Sequence, residues 1–166
     1  MNTTNQSLHV DLADPHGEAA ASLLPHLMAE LATRYPEEER DAPVPALIDS
    51  PGGAFVIAWL GQQAAGCGAL RPMSAEVAEV KRMYVNPAHR GLGIGRAILA
   101  KLEALAREYG YTTLRLETGI RQPEAIHLYE SVAFQRIPCY GQYAGAPLSV
   151  CYEKPIAIHL EVKNGL

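Results

Sequence analysis

One stretch, from Val80 to Leu99, constrains the fold of this chain more than any other: V-K-R-M-Y-V-N-P-A-H-R-G-L-G-I-G-R-A-I-L. It opens as a strand, because Val80, Met83, Tyr84 and Val85 are bulky or β-branched residues that suit a pleated surface. Asn86-Pro87 stops the strand, since proline fixes its own φ and restricts the residue before it. From Ile94 a helical period takes over, with Ile94, Ile98, Leu102 and Leu105 on one face. Between strand and helix sits Arg90-Gly91-Leu92-Gly93-Ile94-Gly95. Glycines there let the backbone turn tightly and approach a ligand. The helix start that follows leaves N–H groups unpaired at the positive end of its dipole, which is a cradle for phosphate.

Two common phosphate-binding patterns are absent from this turn. A dinucleotide fingerprint would need a third glycine where Arg96 stands, and a P-loop would end in Gly-Lys-Ser/Thr. A nucleotide-binding regulatory domain is disfavoured accordingly. Strand, Asn-Pro stop, Arg90-x-x-Gly93-x-Gly95 and amphipathic helix together resemble the acetyl-CoA-binding motif of the GNAT superfamily of N-acetyltransferases. The second motif of that family resembles Gln122-x-x-Ala125-x-x-Leu128-Tyr129 followed by Ala133-Phe134, with Ala133 where glycine is usual. The matched region runs from about Glu79 to Glu153; the N-terminal half agrees in its order of elements without a diagnostic motif.

The resemblance implies a mixed α/β (α+β) fold: a mostly antiparallel sheet of about six to seven strands flanked by helices. It implies acetyl-CoA as co-substrate, held by Met83, Tyr84, Val85, Arg90, Gly91, Leu92, Gly93, Ile94, Gly95, Arg96, Gln122, Ala125 and Tyr129. A backbone N–H near Met83, Tyr84 or Val85 would face the developing oxyanion where the central strand bulges and splays. Tyr129 would stand beside the sulfur and protonate the departing thiolate. For the base, Glu79 lies on the strand feeding the cofactor loop, where partial burial would raise a carboxyl's pKa towards the working pH. Glu117 on the next strand is the rival, or an anchor for a substrate ammonium. Tyr140 and Tyr143 belong to the expected acceptor side. His127 is expected to face solvent.

Elsewhere the periodicity predicts a strand over Ser7–Leu12 and a helix opening at Asp14-Pro15 and running to about Tyr35. Pro25 inside it predicts a kink or a break near Leu24. The acidic run Glu37 to Asp41 and the prolines after it read as either a solvated connector or a substrate-side flap. Ala54–Leu60, Ala65–Leu70 and Ala75–Val85 read as strands, as do Thr112–Thr118, Phe134–Ile137 and Ser149–Glu153. Pro123–Ser131 reads as a helix. The chain of 166 residues suits a single domain with one core, and residues 157–166 read as a loose tail.

A formal net charge of −4 argues against nucleic-acid or anionic-membrane binding, although Lys81, Arg82, Arg90 and Arg96 cluster where a polyphosphate would lie. No apolar run reaches the length of a membrane span, and no secretory leader is evident. Cys67, Cys139 and Cys151 have no metal-like spacing and read as buried or half-buried thiols in a reducing cytoplasm; no metal is expected. The acidic segments and tyrosines suit a small cationic amine or amino acid as acceptor. A protein or peptide acetyltransferase and a silent acyl-CoA-binding module are the alternatives. A homodimer is left open, because nothing in the sequence fixes the oligomeric state.

Overall fold

A computed structural model describes residues 6–38 and 48–156. Seven strands and three helices follow one another as β1 (Leu8–Leu12), α1 (Glu18–Arg34), β2 (Ala54–Leu60), β3 (Gln63–Pro72), β4 (Val77–Val85), α2 (Ile94–Glu108), β5 (Thr113–Gly119), α3 (Pro123–Ser131), β6 (Gln135–Ile137) and β7 (Ser149–Pro155). They form one sheet in the order β1-β2-β3-β4-β5-β7-β6. Every pairing is antiparallel except β4 with β5. This is the mixed, mostly antiparallel sheet that the sequence predicts.

The apolar run of β2 is continuous because both faces of the strand are covered. Ala54, Val56 and Ala58 point into the core under α2, whereas Phe55 and Ile57 point into the core under α1. On α2 the predicted stripe of Ile94, Ile98, Leu102 and Leu105 is buried against Val80, Leu114 and Leu116. Each such aliphatic side chain contributes about 1.5–3 kcal/mol of transfer free energy. Gly110, just past α2, takes φ +88°, the left-handed turn that ends a helix at glycine. On α1, Leu23, Leu24 and Leu27 cover Phe55, Ile57 and Tyr84.

Three expectations are corrected. The Asp14 carboxylate does not cap α1; it accepts the His16 N–H at 2.8 Å, and Gly17 is the N-cap. The Asp-Pro signal therefore makes a turn ahead of the helix. Pro25 does not divide α1, which runs unbroken to Arg34. Its ring lies on the exposed face, while Leu23, Leu24 and Leu27 hold the helix on the sheet.

The cysteines are the third correction. Cys139 and Cys151 form a disulfide rather than two thiols. Cys151 pairs with Ile137 across β6 and β7, so the residue just past β6 returns alongside it with 5.1 Å between Cα atoms. Cys67 is free and buried, and burial pushes its thiol up to about 12. The 157–166 tail and the part of the acidic segment from Glu39 onwards lie outside the described residues.

Candidate functional site

The site originates in a fault in the sheet. β4 and β5 pair in parallel only from Val77 to Glu79 against Thr113 to Arg115, and beyond that point they have no mutual pairing. On its other side β4 carries a bulge. Cys67 pairs with Tyr84 and Ala69 with Lys81, so β4 holds one more residue than β3 across this step. Arg82 occupies the bulge at φ +55°, a left-handed conformation rare for its residue type. The Cys67 thiol donates to the Arg82 carbonyl at 3.3 Å. Met83, Tyr84 and Val85 consequently have no strand partner on the side facing β5.

Two cavities open along this splay. The first, of about 440 Å³, is bordered by Met83, Tyr84 and Val85, by Arg90, Gly91, Gly93, Ile94, Gly95 and Arg96, and by Gln122, Ala125 and Tyr129. Those are the residues predicted to hold the cofactor, less one: Leu92 points outward and is 58% exposed. Gly91 and Gly93 take φ +83° and +79°, and a Cβ added at either would touch nothing. Within the fold, the left-handed φ alone calls for glycine at both positions. Gly93 caps α2 without any side-chain bond, so the first-turn amides stay available beside the cavity. Arg90 donates from Nη2 to both Glu30 carboxylate oxygens, at 3.1 and 2.8 Å, and from Nε to the Val85 carbonyl at 3.1 Å. Sequence reasoning missed Glu30, which lies on α1 with no motif to signal it. His127 is exposed as predicted, yet borders the cavity rim.

The second cavity, of about 450 Å³, shares part of its lining with the first. It is bordered by Lys81, Arg82, Glu117, Tyr143 and Ser149, with Glu38 beyond the end of α1. Lys81 and Arg82 therefore stand here and not with Arg90 and Arg96 beside the glycine turn. Glu117 accepts a hydrogen bond from Ser149 Oγ at 2.9 Å. Burial pushes its carboxyl up to about 7, offset in part by that hydrogen bond and by the Lys81 charge. Tyr143 accepts from Lys81 Nζ at 2.7 Å.

Glu79 is elsewhere. Its side chain is fully buried, with Oε2 accepting from Tyr140 Oη at 2.6 Å and Oε1 3.1 Å from Arg71 and 3.7 Å from Lys81. Neither Glu79 nor Tyr140 borders either cavity. Tyr129, Gln122, Met83, Leu27 and Leu31 border both. Tyr129 is buried, and its phenol is raised well above the ordinary range by desolvation and then by the Glu117 charge. Among the described residues, no three of His, Cys, Asp and Glu converge as a metal ion would require.

The description "Acetyltransferase (GNAT) family" belongs to the family model that matches residues 24–134. The chain belongs to the GNAT acetyltransferase family. An IAA acetyltransferase of Azospirillum brasilense is 35% identical over 143 residues, covering 86% of this chain and 94% of the relative. Among solved structures, a Klebsiella pneumoniae protein named as an acyl-CoA N-acyltransferase superposes with a TM-score of 0.76 at 32% identity, covering 90% of this chain and 98% of that one. A GNAT acetyltransferase of Elizabethkingia anophelis, solved with acetyl-CoA bound, gives 0.63 at 17% identity over 92% and 99% of the two chains, a likeness of fold. This GNAT protein is an acetyl-CoA-dependent N-acetyltransferase. Among its described residues, no helix is long and apolar enough to cross a membrane.

Proposed function

We propose that the enzyme transfers an acetyl group to a small primary amine by direct attack, with the donor in the glycine-turn cavity and the acceptor in the Glu117 cavity. The observation that carries this reading is Tyr129, which borders both cavities at the point where they meet. A volume of about 450 Å³ suits a small molecule rather than a folded protein surface.

Glu117 takes the role of base in place of Glu79. A carboxyl near 7 that borders the acceptor cavity matches the requirement for a group poised at working pH. Glu79, committed to Tyr140, Arg71 and Lys81, holds β4 and the Tyr140 loop together. Acetyl-CoA supplies the thioester carbonyl when bound. The acceptor ammonium would give one proton to the Glu117 carboxylate and attack as the free amine. As the C–N bond forms and the C–S bond breaks, the Tyr129 phenol would protonate the departing sulfur. The remaining extra proton on the nitrogen would return to the Tyr129 oxygen, leaving the neutral amide and the free thiol. Desolvation keeps that phenol protonated, as a donor needs to be. Backbone N–H groups of Met83 to Val85, left without a strand partner towards β5, are the donors we assign to the developing oxyanion. Burial pushes the Cys67 thiol at the bulge up to about 12, which favours direct attack over a thioester formed on that cysteine.

Acetyl-CoA turnover, read as free thiol against a panel of amines and peptides, tests the reading. Release of thiol with small amines is expected. Acetyl-CoA binding with no release for any acceptor would instead identify a silent binding module.

A further inference from the structure

The loop between β6 and β7 is a wall of the second cavity. Gln142, Tyr143, Ala146, Leu148 and Ser149 border it, whereas among the described residues none beyond Ser131 borders the glycine-turn cavity. Little regular structure holds this loop. It has one short 3-10 turn, Gly141–Tyr143, between the short edge strand β6 and β7. Its phenols reach β4, Tyr140 donating to Glu79 at 2.6 Å and Tyr143 accepting from Lys81 at 2.7 Å. At its root the tie is covalent: Cys139 is bonded to Cys151, so residues 139–151 form a closed ring. Cys151 stands opposite Glu117 in the β5–β7 register, and directly opposed residues point to one face. Ser149, two residues along, points to the same face and donates to Glu117 at 2.9 Å. The disulfide thus anchors the loop at the strand position beside the candidate base.

We propose that Cys139 and Cys151 are a thiol–disulfide exchange site that sets acceptor affinity: the oxidised pair holds the loop as the cavity wall, and reduction by a dithiol releases it. This rests on the reading of the Glu117 cavity as the acceptor site. Cys139 is half-buried and Cys151 buried, so an incoming thiolate attacks the Cys139 sulfur. The S–S bond breaks, Cys151 leaves and takes up a proton, and a mixed disulfide remains on Cys139. The second thiol of the dithiol attacks its own sulfur in that mixed disulfide, closes a cyclic disulfide and frees Cys139, which takes up the second proton. Two electrons and two protons pass to the pair, and a small disulfide reverses the exchange. Opening the ring widens the range of conformations open to the loop. An acceptor must then order Tyr143 and Ser149 as it binds, which lowers its affinity. The donor cavity takes no lining from this loop, and that division separates a switch from a plain brace. Cys67, buried on β3 with its thiol donated to the Arg82 carbonyl, lies outside the exchange.

The test compares the full chain, purified without reductant, before and after treatment with a phosphine, which reduces disulfides without adding a thiol. Alkylation of the denatured chain is expected to label Cys67 alone before treatment, and Cys67, Cys139 and Cys151 after it. Hydrogen exchange should quicken by about tenfold or more for loop amides in 140–148 and hold steady through the glycine turn and α2. With the best small primary amine of the acceptor panel, and acetylated product read by mass spectrometry, acceptor KM should rise about tenfold on reduction, while calorimetric affinity for acetyl-CoA moves by less than about twofold. Cys139→Ser and Cys151→Ala should each show the high KM from the outset and no response to the phosphine. Reoxidation of the parent by a small disulfide should restore the low KM. Labelling of all three cysteines before treatment, loop exchange unmoved by reduction, or acetyl-CoA affinity falling in step with the acceptor's would overturn the proposal. Loop amides that quicken while acceptor KM stays put would overturn it through the cavity assignment. A panel in which no amine is acetylated would do the same, and the exchange data keep that failure distinct from one of the disulfide.

Discussion

Tyr140 donates its hydroxyl hydrogen to Glu79 Oε2 at 2.6 Å, closing a buried carboxylate under the β6–β7 loop. This bond joins residues 61 positions apart, and neither of them borders either cavity. Glu79→Ala would leave Tyr140, Arg71 and Lys81 without their shared anion. Breaking a buried pair in this way costs about 3–5 kcal/mol. Chemical denaturation should show that loss, while Glu79→Gln, if folded, should keep the low-pH limb of the rate profile.

Glu117 faces Lys81 and Glu79 from β4, Glu38 beyond α1, Ser149 from β7, Tyr143 from the loop and Tyr129 from α3. With a carboxyl near 7, the base is protonated and idle below that pH, so kcat/KM should rise with pH and level off above about 7. Glu117→Gln should lower kcat by roughly 10²–10⁴-fold and abolish that limb. A profile of Glu117→Gln that still bends near the same pH would transfer the role to another group or to water.

The same shift has a stability consequence of opposite direction. Between about 4.5 and about 7 the folded chain keeps a proton on Glu117 that the unfolded chain has lost, so stability falls as pH rises through this window. At most roughly 3 kcal/mol is involved. Glu117→Gln should escape the loss, and its melting temperature should exceed that of the parent at pH 8 by more than at pH 4.

Tyr129→Phe keeps the ring that packs edge-on against Phe134, with 5.9 Å between centroids, and deletes only the hydroxyl. A fall in kcat of roughly 10- to 10⁴-fold with acetyl-CoA affinity nearly unchanged is expected. Unchanged kcat, in single-turnover conditions where chemistry limits, would leave the phenol a packing role alone.

Gly93 offers a sharper comparison than a simple clash. Among the described residues nothing lies near an added Cβ, so the constraint that the fold itself sets at this position is φ +79°. Gly93→Asn, whose side chain tolerates the left-handed region, should retain more acetyl-CoA affinity than Gly93→Val. Equal affinities by calorimetry would mean that this backbone conformation does not govern the cradle.

The glycine turn, the strand before it and the helix after it were legible because each obeys a local rule, and so was the succession of strands and helices along the chain. What the sequence did not reveal depends on pairing between distant residues. Glu79 and Glu117 are both strand glutamates of similar surroundings in sequence. Only the point where β4 leaves β5 decides that one is sealed beneath Tyr140 and the other opens on a cavity. Lys81 and Arg82 look like alternating residues until the bulge is known. Cys139 and Cys151 carry no spacing motif, and their bond follows from the β6–β7 register.

Leu27 and Leu31 of α1 wall both cavities at once. The end of that helix is fastened across the splay, with the Tyr35 hydroxyl accepting from the Arg121 N–H at 3.0 Å and seated where a Cβ on Gly119 would collide with it. A wall common to two cavities is a route by which their occupants can be coupled. Any displacement of α1 that tightens the grip on one ligand reshapes the space left to the other, and the effect is reciprocal in free energy. On the proposed assignment of the two cavities, a displacement of α1 is expected to move donor and acceptor affinities together.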